Sequence, residues 1–334
     1  MIRKFFTYLL IAAASMAVAC SPIDGGTDDG GNNNNQGGGD PEKPVEVRNL
    51  YSYLLNIIED NKEARANGDE IKKVYIVAHR ANSKEGKVAG APDNSVAAIG
   101  YAIKAGADMV ELDVRTTKDG YFVMVHDETL TATTGQKKYV AELTLEEIKS
   151  YPMKTPNGKY YKDAEGNFIY TPTLQEALTA CKDKIYVNLD LKAVGNERKL
   201  IKAILEVGMG NQVMLYQTGY GACRDYIEYA MAEGVDNLCV HPHISKASDA
   251  SAYKQLPSAK LFQYSYDLWI GGTSISRDMH KENLLTYSNI LNYDAQIYQG
   301  KYSMLDKFLE SDTDFIQTDY CELVEAYLKQ KGLR

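Results

Sequence analysis

MVELDVRTTKDGYFVMVHD, residues 109–127, decides how this chain folds. Apolar Val110, Leu112 and Val114 alternate with Glu111 and Asp113, and a second apolar run, 121–125, stops at His126-Asp127. The stretch VYIVAHR, residues 74–80, has the same form and stops at His79-Arg80. Each reads as a buried strand with a polar, titratable end. That is how an α/β barrel presents chemistry at the C-terminal face of its strands.

Working outward, strands are expected at 73–78, 109–114, 121–125, 185–191, 213–217, 237–241, 261–265, 287–291 and 314–317. Helices are expected at 94–105, 144–150, 173–181, 196–206, 220–232, 277–285, 302–310 and 320–331. Alternating strands and helices argue for a parallel sheet with helices outside it, hence an α/β fold of the TIM (β/α)8 barrel type. Nine strand candidates are one too many, so at least one is miscalled or lies outside the barrel. Leu50, Leu54, Ile57 and Ile58 recur at helical spacing within 45–66, which predicts a helix across the barrel bottom or against its first strand. The Pro-, Gly-, Tyr- and Lys-rich stretch 152–170 reads as a hairpin-like excursion near the active face.

Composition narrows the partners. Hydrophobic residues make up 44% of the 334-residue chain, enough for a full core. The net charge is −8 with no basic stripe, which argues against nucleic acid. Tyrosine is abundant, 25 residues against one tryptophan; this is read as compositional drift, although tyrosine also suits polar-ligand grooves.

The N-terminus carries its own signal. Basic residues 1–4 precede the apolar run FFTYLLIAAASMAV, too short to span a bilayer, which leads to Ala17-Val18-Ala19-Cys20. This resembles a bacterial lipobox and implies cleavage before Cys20 with a lipid on its sulfur. The expected division is a lipoprotein signal peptide at 1–19, a lipidated Cys20 with a flexible Gly/Asn/Asp tether through residue 44, and one barrel domain at 45–334. The protein is then exported and reaches the membrane through its anchor alone. Asp24, Asp28 and Asp29 behind the cysteine resemble an outer-membrane or surface-export signal. Cys181, Cys223, Cys239 and Cys321 match no zinc spacing and are expected as buried thiols.

Period two puts the Glu111 and Asp113 side chains on one face, opposite Leu112 and Val114, so the acids face the barrel interior. Uncompensated carboxylates buried side by side are costly, and a hard divalent cation, Ca²⁺ or Mg²⁺, resolves the repulsion with help from Arg80. Asp190, in IYVNLDLK (185–192), is either a third ligand or a partner for Lys192 on its own face. His79 and His126 can divide proton transfer across a metal-bound phosphodiester, with Arg80 holding the nonbridging oxygens.

Taken in order, His79-Arg80-Ala81, Pro92-Asp93-Asn94-Ser95, Glu111-Leu112-Asp113-Val114, Thr117-Lys118-Asp119-Gly120, His126-Asp127, the stretch Thr171–Leu178 and Ile316-Gln317-Thr318-Asp319 resemble the glycerophosphodiester phosphodiesterase family, over about residues 74–331. The resemblance implies a TIM barrel with one divalent cation held by Glu111, Asp113 and Asp190. It also implies an acid–base pair in His79 and His126, and phosphate binding by Arg80 and Lys192. The substrate is then a small glycerophosphodiester. Its glycerol hydroxyl attacks phosphorus, the head-group alcohol leaves, and water opens the cyclic phosphate to glycerol 3-phosphate.

The chain departs from the family pattern at several points. Ala81 stands for glycine, Asp93 and Asp190 each stand for glutamate, the loop between Arg80 and Pro92 is longer, and no proline follows Thr318-Asp319. Two other readings fit less well: phospholipase C-like cleavage of a phospholipid or phosphoinositol, and a catalytically silent surface-binding protein.

Overall fold

The computed structural model describes residues 49–67, 73–192, 195–244, 247–264 and 275–334. The expected signal peptide, Cys20 and the tether lie outside these residues. Strands β1 (Tyr75–Ala78), β2 (Met109–Thr116), β3 (Phe122–Met124), β4 (Tyr186–Leu191), β5 (Val213–Gln217), β6 (Cys239–Ile244), β7 (Leu261–Tyr264), β8 (Leu285–Asn289) and β9 (Phe315–Thr318) form one sheet. β1 pairs in parallel with both β2 and β9, so the parallel strands close into an eight-stranded TIM barrel. β3 is the ninth candidate. It lies antiparallel on the end of β2, outside the barrel, and its role is to deliver His126.

Strand alternation sorts the side chains as expected. Ile76, Val110, Leu112, Val114, Val187 and Leu189 join the core beneath the surrounding helices. The opposite face fills the barrel. Tyr75, Val77, Met109, Tyr186, Met214, Cys239, Leu261, Leu285, Tyr287 and Phe315 pack with Leu50, Leu54, Ile57 and Ile58 of helix α1 (Leu50–Ala66). Those four come from the early part of α1 at 3–4-residue spacing, so one helical stripe plugs the N-terminal end of the barrel. Leu54 is completely buried there. Leu54→Ala is expected to lower unfolding stability by about 2–5 kcal/mol, while turnover by the folded fraction is unchanged because the plug is at the opposite end from the polar strand ends. Chemical denaturation with an activity assay checks both.

Differences from the sequence reading have local causes. Helix α2 (Lys84–Ala89), within the loop after β1, was not expected; Ser83 caps it by accepting from Gly86 N, and Gly90 ends it at φ 76°. Helix α3 (Val96–Lys104) follows, capped by Ser95. The expected helix 277–285 is Ile275–Lys281, and the expected strand 287–291 starts two residues earlier as β8. Asn283, at φ 59°, turns the chain early, and Leu284 and Leu285 enter the core. The excursion at 152–170 is held by bridges pairing Pro152 with Tyr170, Lys154 with Tyr160 and Lys162 with Phe168. Cys181, Cys223, Cys239 and Cys321 are buried free thiols. Burial pushes the first three up to about 12.

Candidate active site

The β2–β4 register sets Glu111 opposite Asn188 and Asp113 opposite Asp190. Both strands therefore turn acids into the barrel at neighbouring levels. Glu111, Asp113 and Asp190 each bring a carboxylate oxygen within 4.8 Å of the others. Glu111 and Asp113 are buried, and burial, then the charge of Asp113, pushes the Glu111 carboxyl well above the usual carboxylate range.

The surrounding donors fix the acids without neutralising them all. Arg80 N–H donates to Glu111 Oε2 at 3.0 Å. Asn94 Nδ2 donates to Asp113 Oδ2 at 2.9 Å, and Asp113 N–H returns a bond to Asn94 Oδ1 at 3.0 Å. Lys192 Nζ reaches Asp190 Oδ2 at 2.6 Å and Asp113 Oδ1 at 3.1 Å. Burial alone would favour its neutral amine, but Asp113 and Asp190 outweigh that and raise it above the usual lysine range. Asp190 thus does both things the sequence allowed: it pairs with Lys192 and joins the acidic cluster. Three hard oxygen donors around a strained Glu111 fit a divalent cation. Arg80 Nε, buried and without a hydrogen bond among the described residues, faces Asp113 Oδ2 at 3.5 Å.

The two histidines sit differently. His79 Nδ1 is 2.8 Å from Asp319 Oδ1, so the ring's orientation is held from the last strand's end. Asp319 also meets Lys87 Nζ at 3.1 Å and accepts from Asn82 Nδ2 at 3.3 Å. Burial acts to raise its carboxyl, yet His79 and Lys87 together bring it down to about 2. Its backbone N–H donates to Asp294 Oδ2 at 2.7 Å. His126 is more open, with 39% side-chain exposure against 16% for His79, and its Nδ1 lies 2.8 Å from Asp127 Oδ1. Arg115 Nε donates to the His126 carbonyl at 2.9 Å and pins that backbone.

His79, Arg80, Glu111, Asp113, His126, Asp190 and Lys192 all line one cavity of about 320 Å³ at the C-terminal ends of the strands. The sequence reading named every one of them. No role was legible from sequence for Asp319, although it stands in the last quoted motif, nor for the uncharged wall of Asn188, Tyr216, Gln263, Asn289 and Gln317. Asn188 was the most accessible of these, two residues from Asp190 and therefore on its face. In the Asp93-Asn94-Ser95 stretch, Ser95 caps α3, Asn94 holds Asp113, and Asp93 faces Arg80 at 3.4 Å.

Residues 79–223 match the model of the glycerophosphoryl diester phosphodiesterase family, a span that contains all seven of these cavity residues. The matched region belongs to that family. It is 36% identical over 159 residues to a glycerophosphodiester phosphodiesterase of Caldanaerobacter subterraneus, a match covering 46% of this chain and 61% of that protein. The crystal structure of a glycerophosphoryl diester phosphodiesterase from Parabacteroides distasonis superposes with a TM-score of 0.67 at 18% identity, over 86% of this chain and 94% of that one. A phosphodiesterase from Oleispira antarctica, in complex with the product sn-glycerol-3-phosphate, superposes with a TM-score of 0.59 at 19% identity, over 76% and 96%. These two likenesses carry the fold.

Two departures from the phosphodiesterase family pattern now have a physical reading. Ala81 stands at the glycine position with φ 59°, and Arg80 before it has φ 50°. This left-handed turn favours glycine, and alanine there bears about 1–2 kcal/mol of strain. Asp190 is one methylene shorter than glutamate, but its register beside Asp113 still brings its carboxylate into the cluster.

Proposed function

We propose that this protein is a divalent-metal-dependent phosphodiesterase that converts small glycerophosphodiesters into glycerol 3-phosphate and an alcohol. The observation that carries this reading is the convergence of Glu111, Asp113 and Asp190 in the cavity that His79 and His126 also line. The sn-glycerol-3-phosphate bound to the Oleispira protein supports the reading of that product. Glu111, Asp113 and Asp190 would hold Ca²⁺ or Mg²⁺, which supplies charge neutralisation at the phosphate oxygens.

The remaining steps belong to the chain's own side chains. Arg80 and Lys192 bind the nonbridging oxygens. His79, oriented through Nδ1 by Asp319, takes the proton from the glycerol hydroxyl next to the phosphate. That oxygen bonds to phosphorus. The bond to the head-group oxygen breaks, and His126 supplies its proton. Water then opens the cyclic phosphate with the two histidines exchanging roles.

Asp319→Asn keeps the side-chain shape but replaces the carboxylate with a neutral amide, whose Nδ2 can donate to His79 Nδ1 and hold the ring in the wrong tautomer. The expected result is a fall in kcat of about 100-fold or more with KM little changed. Equal losses in kcat and folded fraction would assign Asp319 a structural role only. We also propose that Cys20 is lipidated and residues 20–44 tether the exported barrel to a membrane; this rests on their sequence. The activity is tested by incubating purified protein with glycerophosphocholine and Ca²⁺ or Mg²⁺. The reading expects glycerol 3-phosphate release that a chelator stops and added metal restores.

A further inference from the structure

A second cavity, of about 300 Å³, adjoins the first and shares only Arg80 and His126 with it. If the phosphodiester sits on Arg80 and His126 protonates the leaving oxygen, the head group must lie on the far side of this shared wall. Nothing in the metal-site cavity's uncharged wall selects a charged head group, whereas the second cavity is built from segments that carry charge. Lys87 comes from α2, and Lys154 and Pro156 come from the 152–170 excursion.

The charges there do not cancel evenly. The cavity's carboxylates already have partners in the same cavity: Asp93 meets Arg80 at 3.4 Å and Asp127 meets His126 Nδ1 at 2.8 Å. Lys87 is engaged by Asp319. Lys154 has no ion-pair partner among the described residues, and its ammonium lies 5.4 Å from the Tyr160 ring centre. Val125, Ala132 and the prolines add apolar surface that keeps water from fully screening the charge. We propose that this cavity is the head-group subsite and that Lys154 makes it select alcohols bearing negative charge, such as a phosphorylated polyol.

This inference rests on the phosphodiesterase reading, and the test separates the two. The full chain, with saturating metal, is assayed on three substrates. These are glycerophosphocholine, glycerophosphoglycerol, and deacylated cardiolipin, whose head glycerol carries a second phosphodiester. The expected order of kcat/KM is deacylated cardiolipin, then glycerophosphoglycerol, then glycerophosphocholine. In Lys154→Glu the ratio of the first to the last should fall about tenfold, and in Lys154→Gln by less. Raising salt should shrink the wild-type ratio. A ratio taken within one preparation is independent of the fraction folded. The same ratio in wild type and both variants overturns the subsite proposal and leaves the phosphodiesterase reading standing. No turnover of any of the three by the wild type overturns the phosphodiesterase reading and the subsite proposal with it.

Discussion

His79→Ala is expected to reduce kcat on a glycerophosphodiester by about 10²–10⁴-fold, the range associated with loss of a positioned acid–base group. The ring is held by Asp319 at 2.8 Å and faces the cavity that contains the acidic cluster. Its removal deletes proton transfer without touching a carboxylate of that cluster. Metal-induced thermal stabilisation should therefore persist in the variant. Steady-state kinetics together with thermal unfolding at graded metal concentration checks both halves. If stabilisation by metal vanished along with activity, His79 would belong to the ion's site and the division of labour would be wrong.

The second large effect is at Glu111. Its buried carboxyl beside Asp113 has a folded pKa well above the ordinary 4.5. A raised acid means the folded protein holds a proton that the unfolded chain has released. Without metal, folding stability contributed by this group therefore falls as pH rises above about 4.5 and continues to fall until the folded pKa is reached. A bound cation reverses the balance by favouring the carboxylate. Glu111→Gln should remove this pH slope in chelator-treated protein, leave the metal-free form at least as stable near neutral pH, and abolish activity. It should also abolish stabilisation by metal, which for the wild type is about 2.7 kcal/mol at a metal concentration of 100 times Kd. Retained metal-stimulated turnover in Glu111→Gln would reject the ligand assignment.

Much of this site was legible because it is written within strands. Period-two alternation is local, so Glu111 with Asp113, and Asp190 with Lys192, could be set on one face from sequence. The apolar runs before His79 and His126 likewise gave their positions at strand ends. What escaped depends on closure of the barrel. Asp319 meets His79 only because β9 pairs with β1, and the uncharged wall forms only when β4 to β9 complete the circle. Short elements escaped for a different reason. Helix α2 is set by the Ser83 cap and Gly90 rather than by an apolar stripe, and β8 is displaced by one left-handed Asn283. The extra strand was countable but not assignable, because β3 has the same apolar pattern as a barrel strand and differs only in running antiparallel.

The departures from the family pattern leave the acidic cluster complete while changing its surroundings. Asp190 substitutes for a longer side chain at the cluster. The longer loop after Arg80 supplies Lys87, which reaches Asp319 and lines the second cavity. Both changes lie where the substrate's two halves would be held, so they bear on which diester is cleaved more than on how.

The most direct measurement is ³¹P NMR of glycerophosphocholine during turnover by the purified protein with Ca²⁺ or Mg²⁺. The account predicts a transient glycerol cyclic phosphate that resolves into glycerol 3-phosphate, with neither signal in His79→Ala. Accumulation of phosphocholine, or no phosphorus-containing product under either metal, would contradict it.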